Sequence, residues 1–126
     1  GPNQICKGPM STLIGIFENH YKSKKPLPVV KPGYQTRRFT HISDTVNTCY
    51  FAWKKNLCRH YSIANKKSFS VFEVAKMFGG KVKFLPKRLG ERYVSSLTNN
   101  NLSNKIYKHY GKINLKDYIN NFVKSN

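Results

Sequence analysis

Arginine is the residue type in this sequence best suited to hold a phosphorylated ligand. The chain has 5 arginines against 18 lysines, and three arginines lie beside glycine turns: Arg37 and Arg38 follow Gly33, and Arg88 precedes Gly90. A guanidinium presents a planar fork of donors that matches phosphate oxygens. Arg37 and Arg88, although far apart in the chain, are therefore candidates to clamp one diphosphate. Simple surface arginines are the competing interpretation.

Two Tyr-x-x-x-Lys matches offer a different chemistry. Tyr21 lies four residues before Lys25, and Tyr50 lies four residues before Lys54. On a helix this spacing brings both side chains to one face, where an ammonium lowers the pKa of a phenol and prepares it for proton transfer. With 18 lysines and 8 tyrosines such matches arise by chance, and both tyrosines fall on apolar stripes. The pattern therefore favours packing, and we assign no catalytic residue.

Other catalytic and metal-binding signatures are missing from the sequence. No Gly-x-Gly-x-x-Gly segment and no Walker loop occurs, and the five acidic residues form no carboxylate pair. His41, Cys49, Cys58 and His60 match no standard zinc spacing. The three cysteines include no Cys-x-x-Cys pair, which predicts free thiols in a reducing compartment, the cytoplasm. We expect neither a metal site nor a disulfide framework.

The charge balance points to an anionic partner without identifying it. Lys+Arg is 23 and Asp+Glu is 5, which gives a net charge of +18. Such an excess suggests a polyanion such as nucleic acid. Against this, lysine is scattered along the whole chain, its densest run is residues 22–25, and the abundant Lys, Asn, Tyr and Ile share A/T-rich codons. A solvated lysine-rich surface is the simpler interpretation.

Length and composition bound the architecture. The chain has 126 residues, 39% hydrophobic and 13% aromatic, which suits one domain and is too apolar for a disordered basic tail. No run of about 18 apolar residues predicts a transmembrane helix, and no signal peptide is evident, so we expect no membrane association. Because the chain opens with Gly1 and Pro2 rather than Met, we expect it to be part of a longer protein.

Five helices are predicted from apolar residues that recur at intervals of three and four. Their faces are, in chain order, Met10, Leu13, Ile14, Phe17 and Tyr21; Val46, Cys49, Tyr50, Trp53 and Leu57; Val71, Val74, Ala75 and Phe78; Leu102, Ile106, Tyr107 and Tyr110; and Leu115, Tyr118, Ile119 and Phe122. The capping side chains predicted at the helix starts are Ser11 or Thr12, Ser43 or Asp44, the Ser70 and Glu73 capping box, and Asn114. Gly79 and Gly111 are predicted to end the third and fourth helices.

Short β-rich runs alternate with these helices. They cover residues 27–30, 37–42, 60–64 and 81–85 and are bounded by prolines, glycines and polar residues. Parallel neighbours need a crossover connection that a helix can supply. The alternation therefore predicts an α/β fold with some parallel pairing.

Five segments in order resemble the extended short-chain dehydrogenases, the NAD-dependent nucleotide-sugar epimerases and dehydratases. Residues 33–44, Gly-Tyr-Gln-Thr-Arg-Arg-Phe-Thr-His-Ile-Ser-Asp, are similar to the family segment G-x-Q-x-R-x-[FY]-[TI]-[HY]-V-x-D. The other four are residues 1–4 (family G-P-R-Q), 61–65 (Y-N-I-G-x), 88–91 (R-P-G-[DE]) and 102–123 (the closing helices). Each motif is weak alone, but their order and spacing agree along essentially the whole chain.

The resemblance implies that residues 1–126 form one domain, the C-terminal substrate-binding part of a Rossmann-type fold with the last strand or strands of its parallel sheet. It implies a nucleotide-sugar substrate, UDP-linked as for UDP-glucose 4-epimerase. Arg37 and Arg88 would bind the diphosphate and Glu91 the ribose. The further substrate-binding residues that it implies are Gln35 in the same pocket, Ser11 or Thr12 at a helix N-terminus near the phosphates, and Val30 beside the base.

The resemblance also implies what lies outside this chain. The family's NAD-binding loop and its catalytic residues all precede the aligned segment. NAD and catalysis would therefore belong to a missing N-terminal Rossmann part, and this chain alone would carry no catalytic residue. The whole protein would be an epimerase or dehydratase, and it would be a candidate homodimer because the family often dimerises. We expect the isolated chain to dimerise, exchange strands or aggregate, because it would expose an apolar face and a sheet edge.

Departures from the family pattern keep two other interpretations open. Lys31, Ala64 and Lys66 stand where the family often has glycine, and Leu89 replaces a common proline. Loss of glycine removes easy access to positive φ and predicts altered loops. The alternatives are a small basic nucleic-acid-binding module and a divergent interaction domain that no longer binds a sugar nucleotide.

Overall fold

The computed structural model describes residues 1–56, 60–90 and 106–126. Within these ranges the elements are, in chain order, α1 (Leu13–Lys22), β1 (Leu27–Val30), β2 (Thr36–Arg37), α2 (Ile42–Lys55), β3 (His60–Ala64), β4 (Phe69–Ser70), α3 (Val71–Phe78), β5 (Val82–Leu85), β6 (Ile106–Tyr110) and α4 (Leu115–Lys124). No helix in the described ranges is both long enough and apolar enough to span a bilayer.

The strands pair in three small ladders. β1 runs parallel to β5, with Leu27 opposite Val82 and Val30 opposite Leu85. β3 runs parallel to β6, whereas β2 and β4 form a short antiparallel pair. Each parallel pair joins strands that are distant in sequence, as crossover connections require. This arrangement confirms the predicted α/β fold with parallel pairing.

The core lies between β1 and the helices α1, α3 and α4. Phe17 of α1 meets Phe78 of α3 edge-on, with ring centroids 5.9 Å apart and planes at 88°, and Phe122 of α4 lies 6.0 Å from Phe78. Leu27 and Val29 of β1 are completely buried in the same cluster. Since a buried aromatic ring removes about 150–250 Å² from water, this cluster holds β1 firmly against the helices.

Local capping explains why the helices begin and end where they do. Thr12 caps α1, and Asn114 caps α4. Ser70 and Glu73 form the predicted capping box of α3, which ends at Gly79 in a left-handed conformation with φ 70°. These caps confirm the predictions for all three helices. Met10, predicted on the α1 stripe, lies before the helix and is exposed.

The prediction of a fourth helix, with Leu102 on its face and Gly111 at its end, is wrong for the residues of this segment that the structure describes. Residues 91–105, with Leu102, lie outside the described ranges, and residues Ile106–Tyr110 form strand β6. This segment, Ile-Tyr-Lys-His-Tyr, is rich in residues that favour strands. Pairing with the whole length of β3 supplies backbone hydrogen bonds that outweigh the apolar spacing on which the helix prediction rested.

The strand predicted over residues 37–42 is also shorter than expected. Only Thr36 and Arg37 pair, because their partner β4 has two residues and α3 follows it immediately. The next helix, α2, begins at Ile42 and is capped by His41, not by Ser43 or Asp44. The His41 ring accepts a hydrogen bond from the Ser43 N–H. The strand predicted over 81–85 begins one residue late, and those over 27–30 and 60–64 are confirmed.

Helix α2 presents its apolar stripe to solvent. Val46, Tyr50 and Trp53 are 57%, 58% and 71% exposed, and Cys49 is exposed as well. Leu57, the last member of the predicted stripe, lies outside the described ranges. The buried side of α2 carries Asp44 and Thr48 instead. Helical spacing predicted the stripe correctly but did not predict which side of α2 packs inward.

Candidate functional site

A cavity of about 240 Å³ opens where β1 and β5 end side by side. It is lined by Leu13, Ile16, Pro28, Val30, Gln35, Arg37, Val71, Leu85 and Arg88. Val30 and Leu85 are the last residues of their parallel strands and lie opposite each other. In open α/β sheets, ligands bind at the carboxyl ends of the strands. We refer to this cavity as the arginine pocket.

The loop between β1 and β2 is clamped so that its residues face the arginine pocket. Gly33 has φ 83°, and an added Cβ would lie 3.0 Å from the Val29 side chain and 3.3 Å from Phe72 Cβ. The carbonyl oxygen of Gly33 accepts a hydrogen bond from the Phe72 N–H at 3.0 Å. Only glycine combines this backbone conformation with this close approach at low cost. The loop therefore enters β2 in one direction, and β2 carries Arg37 to the pocket.

Gln35 forms part of the pocket wall and is almost completely buried, at 1% exposure. Its side-chain N–H donates to the Val30 carbonyl oxygen at 3.3 Å, and its backbone carbonyl accepts from the Val71 N–H at 2.9 Å. Gln35 thus ties β1 to the start of α3. Its Oε1 atom is buried and has no hydrogen-bond partner within the part of the chain that the structure describes. Such an atom is costly unless water or a ligand satisfies it.

The electrostatics of the arginine pocket favour an anion. Arg37 and Arg88 both line it, and among the described residues that line it none carries a carboxylate. Leu13 and Val71 are the first residues of α1 and α3, so two helix N-termini, with their partial positive charge, adjoin the cavity. The Arg37 guanidinium donates to the Thr36 carbonyl oxygen at 2.8 Å, which restricts its orientation.

The structure brings four of the predicted site residues together and separates the others. Val30, Gln35, Arg37 and Arg88 share the arginine pocket. Ser11 and Thr12 do not line it, and α1 reaches it through Leu13 and Ile16 instead. Glu91, assigned to the ribose, lies outside the described ranges.

The Thr12 hydroxyl is already used within the protein. It accepts a hydrogen bond from the Gly15 N–H at 3.1 Å and donates to Gln4 Oε1 at 2.9 Å. The physical reason for its absence from the pocket is therefore that Thr12 caps its own helix and fastens the segment before it.

The two Tyr-x-x-x-Lys pairs do not line the arginine pocket either. The Tyr21 ring packs against Phe78 at 6.0 Å. The Tyr50 ring lies on the exposed side of α2, with the Lys54 ammonium 5.8 Å from its centroid. The position of Tyr21 agrees with the packing interpretation, whereas Tyr50 is 58% exposed and does not pack into the core. Among the described residues, His, Cys, Asp and Glu form no group of three that could hold a metal ion.

The clearest pKa shifts also lie away from the arginine pocket. Burial raises the pKa of the Tyr118 phenol, and its hydrogen bond to Glu18 Oε1 at 2.7 Å adds to the effect. The Ser70 backbone N–H and then the Ser70 hydroxyl lower the pKa of Glu73 in its capping box. Both shifts serve the packing and capping of helices rather than a reaction.

Four lysines line another cavity, of about 550 Å³, at the C-terminal ends of α1 and α3. They are Lys22, Lys24, Lys25 and Lys81. Helix C-termini carry partial negative charge and attract cations, so lysine has a structural reason to be there. Tyr21 also lines this cavity, but its ring packs against Phe78 and Phe122 instead of presenting a free stacking surface. The lysine cluster therefore does not favour the nucleic-acid interpretation.

NAD cannot be held by the residues of this chain in the way the resemblance implies for the family. The sequence contains no Gly-x-Gly-x-x-Gly segment after a strand. The glycines at positive φ are Gly8, Gly33, Gly79 and Gly90, and Gly79 ends a helix rather than beginning one. The residues present therefore do not form a dinucleotide-binding loop.

Sequence reasoning missed the apolar walls of the arginine pocket. Leu13, Ile16 and Val71 resemble ordinary core positions because each packs against the core, and Leu85 resembles an ordinary strand residue. Their positions in the chain were the available signal. Leu13 and Val71 begin helices and Leu85 ends a parallel strand, and anion and nucleotide sites form at such positions.

Solved structures share the fold of this chain at low sequence identity. UDP-glucose 4-epimerase from Thermotoga maritima, with UDP-glucose, has a TM-score of 0.73 and 19% identity over 98% of this chain and 41% of its own. UDP-N-acetylglucosamine 4-epimerase from Methanobrevibacter ruminantium M1, with UDP-N-acetylmuramic acid, has a TM-score of 0.77 and 18% identity. The match covers 98% of this chain and 42% of the epimerase. UDP-glucuronic acid 4-epimerase from Bacillus cereus, with UDP-glucuronic acid and NAD, has a TM-score of 0.68 and 23% identity. The match covers 96% of this chain and 43% of the epimerase.

No protein-family model matches the sequence, and no curated protein matches it. The chain spans about two fifths of the length of these epimerases. Over that part of their structures the chain shares their Rossmann-type α/β fold, and the similarities establish this shared fold alone.

Proposed function

We propose that this chain is the substrate-binding part of an NAD-dependent nucleotide-sugar epimerase or dehydratase and that the arginine pocket holds the nucleotide diphosphate. The observation that carries the proposal is the meeting of Arg37 and Arg88, which are 51 residues apart in sequence, in one cavity. Two guanidiniums can hold two adjacent phosphates by charge-assisted hydrogen bonds, each contributing roughly 1.5–3 kcal/mol.

The walls of the pocket suit the remainder of a nucleotide. Pro28, Val30 and Leu85 offer an apolar surface beside the arginines, as nucleotide sites commonly do. The solved structures with this fold are described with UDP-glucose, UDP-N-acetylmuramic acid and UDP-glucuronic acid. A UDP-linked sugar is therefore the substrate class we assign, with Glu91 as the ribose ligand.

The size of the chain fits a part and not the whole of such an enzyme. Epimerases with this fold are more than twice as long. We infer that NAD and the groups that carry out hydride and proton transfer belong to an N-terminal Rossmann part, and that this chain positions the sugar nucleotide for them. Sequencing the transcript upstream of Gly1 checks this directly, since a Gly-x-x-Gly-x-x-Gly segment followed by Tyr-x-x-x-Lys is expected there.

The binding proposal is tested by comparing UDP with UMP in isothermal titration calorimetry. If both arginines contact the diphosphate, removing the terminal phosphate costs at least one charge-assisted contact. UMP should therefore bind at least tenfold more weakly than UDP, a loss of about 1.4 kcal/mol of binding free energy. Equal affinities for UDP and UMP, or no binding of either, would contradict the proposed site.

A further inference from the structure

The lysine-lined cavity at the ends of α1 and α3 takes no part in the proposed diphosphate site. Its volume is about 550 Å³, against about 240 Å³ for the arginine pocket. Small-molecule sites commonly measure about 300–1,000 Å³, so the cavity is large enough for a ligand of its own. Its four lysines, Lys22, Lys24, Lys25 and Lys81, are all exposed. We call this cavity the lysine pocket.

Acidic side chains do not balance the charge of the lysine pocket within the described part of the chain. None of the described residues that line it is Asp or Glu. Three of the described acidic residues are hydrogen-bonded elsewhere. The fourth, Asp117, lies in the first turn of α4, whereas the pocket meets the other end of that helix through Asn126. Ammonium groups that share a cavity repel one another, and an anion that enters relieves this repulsion.

Helix C-termini offset only part of this positive charge. The pocket adjoins three of them, because Lys22 is the last residue of α1, Gly80 follows α3 and Asn126 follows α4. Each helix C-terminus is equivalent to about −0.5 elementary charge, so the three together supply about −1.5 against four ammonium groups. Terminal carbonyl oxygens are also bonded within the chain, as where the Gly79 N–H donates to the Lys76 carbonyl at 3.0 Å. A surplus of about two and a half positive charges therefore faces the cavity.

The turn after α1 places a lysine where the backbone favours another residue type. Lys24 has φ 52°, in the left-handed region, where glycine and asparagine cost less than lysine. The Lys24 N–H donates to the Tyr21 carbonyl oxygen at 3.0 Å, which fixes this conformation. The Lys22 ammonium lies 5.2 Å from the centre of the Phe122 ring and is held there by cation–π attraction. Strained backbone is concentrated at ligand sites, so Lys24 points to binding as the role of this turn.

We propose that the lysine pocket binds a compact polyphosphate, that is, a small molecule that carries several phosphate groups close together. Lysine contacts phosphate as a point charge and needs no planar geometry, so ammonium groups from two separate segments can converge on one such ligand. A compact ligand also fits a concave cavity of about 550 Å³. Binding of UDP in the arginine pocket is not required for this second site.

Other anionic partners match the lysine pocket less well. Same-side residues of an extended acidic peptide are about 6–7 Å apart, so a peptide brings fewer negative charges into this volume than adjacent phosphates do. Single-stranded nucleic acid gains affinity by stacking its bases on aromatic rings. Tyr21 supplies the aromatic ring among the described lining residues, and it packs against Phe78 and Phe122. A compact polyphosphate needs neither an extended groove nor a stacking surface.

Titration calorimetry with inorganic tripolyphosphate tests the proposal, in an Arg88→Ala background so that the arginine pocket does not contribute. We expect one tripolyphosphate per chain and an affinity at least tenfold lower when Lys24→Gln and Lys81→Gln are combined. The matched control combines Lys83→Gln and Lys116→Gln, which removes the same charge from residues that do not line the cavity, and should lower the affinity less than threefold. Equal losses in the two double variants, or no binding at all, would overturn the proposal. UDP titration with both arginines present reports separately on the arginine pocket.

The ligand class is tested with tetraglutamate and a short DNA duplex. Tetraglutamate should bind at least tenfold more weakly than tripolyphosphate. The duplex should bind the two double variants equally, as general attraction to a chain of net charge +18 requires. Tetraglutamate binding as tight as that of tripolyphosphate, or selective loss of duplex binding in Lys24→Gln with Lys81→Gln, would assign the pocket to an acidic peptide or to nucleic acid and overturn the polyphosphate assignment.

Lys24→Gly separates binding from stability. Because glycine adopts a φ of 52° at low cost, the melting temperature of Lys24→Gly should equal or exceed that of the chain with lysine. Its affinity for tripolyphosphate should nevertheless fall at least threefold. An unchanged affinity, whatever the melting temperature, would show that Lys24 serves the turn alone and would contradict its role in the lysine pocket.

Discussion

Arg37 and Arg38 are neighbours in the chain and serve different ends. Arg37 lines the arginine pocket. The Arg38 guanidinium donates to the carbonyl oxygens of Asn65, at 2.8 Å, and Lys66 and so fastens the end of β2 to the loop after β3. Successive residues of an extended chain point to opposite sides, which is why a pair of arginines supplies one ligand-facing group and one structural group.

Ser70 and Glu73 make the fold sensitive to acid. The Ser70 N–H donates to Glu73 Oε2 at 2.7 Å, and this bond holds the pKa of Glu73 below its ordinary value of 4.5. Because the folded-state pKa is the lower one, the carboxylate contributes stability above about pH 4.5, and this contribution is lost as the pH falls through the lowered pKa.

We predict that Ser70→Ala lowers the free energy of unfolding by about 1 kcal/mol at neutral pH, as loss of a helix cap does. Glu73→Gln keeps a neutral side chain that can still accept the bond and should flatten the acid dependence of stability. Urea unfolding at neutral pH and below about pH 4 measures both effects. An unchanged acid dependence in Glu73→Gln would show that other carboxylates control it.

At the scale of elements, stability is concentrated where α1, α3 and α4 cross β1. Phe78 contacts Phe17, Tyr21 and Phe122 and is 1% exposed. Phe78→Ala should therefore cost about 3–5 kcal/mol, as truncation of a buried phenylalanine does. Trp53→Ala in the same 126-residue chain should change stability by less than about 0.5 kcal/mol. Chemical denaturation of the two variants tests the contrast, and a costly Trp53→Ala would place Trp53 in the core.

The elements that sequence could predict are those with a local signal. The capping box of Ser70 and Glu73, the glycine end of α3 and the strand Leu27–Val30 depend on neighbouring residues, and each appears as expected. The orientation of α2 depends on Asp44 meeting Ile113, 69 residues away, and β6 depends on pairing with β3. Local patterns contain no information on such long-range contacts.

The same division applies to the arginine pocket. The rarity of arginine and the resemblance to the epimerases pointed to Arg37, Arg88, Gln35 and Val30, and these four share the cavity. Thr12 was expected there because a helix N-terminus attracts anions, but its hydroxyl is committed to Gly15 and Gln4. Competition from bonds within the protein is visible only in the folded structure.

For the whole molecule, charge opposes association while exposed apolar surface favours it. The net charge is +18, and Glu18, Asp44 and Glu73, three of the five acidic residues, are bonded to Tyr118, Ile113 and Ser70. Repulsion between copies acts over about 10 Å at 0.1 M salt and only about 3 Å at 1 M. The exposed apolar side chains of α2, Ile42, Val46, Tyr50 and Trp53, in contrast, favour association once this repulsion is screened.

The isolated 126-residue chain should therefore be largely monomeric at low ionic strength and self-associate as salt is added. Light scattering over a sodium chloride series measures this. Replacing Val46 and Trp53 together by polar residues should abolish the salt-induced association, since both belong to the exposed apolar stripe of α2. A monomer at every salt concentration, or association that is greatest at low salt, would contradict this balance of forces.

The affinity of the Arg88→Ala variant for UDP measures most directly whether the arginine pocket holds a diphosphate. The matched control is Lys87→Ala, which removes the same charge from the neighbouring position but does not change a residue lining the pocket. Titration calorimetry should show at least a tenfold loss for Arg88→Ala, about 1.4 kcal/mol or more, and less than a twofold change for Lys87→Ala. An unchanged affinity in Arg88→Ala, or equal losses in the two variants, would mean that UDP binds by general attraction to a basic surface and that the arginine pocket is not a diphosphate site.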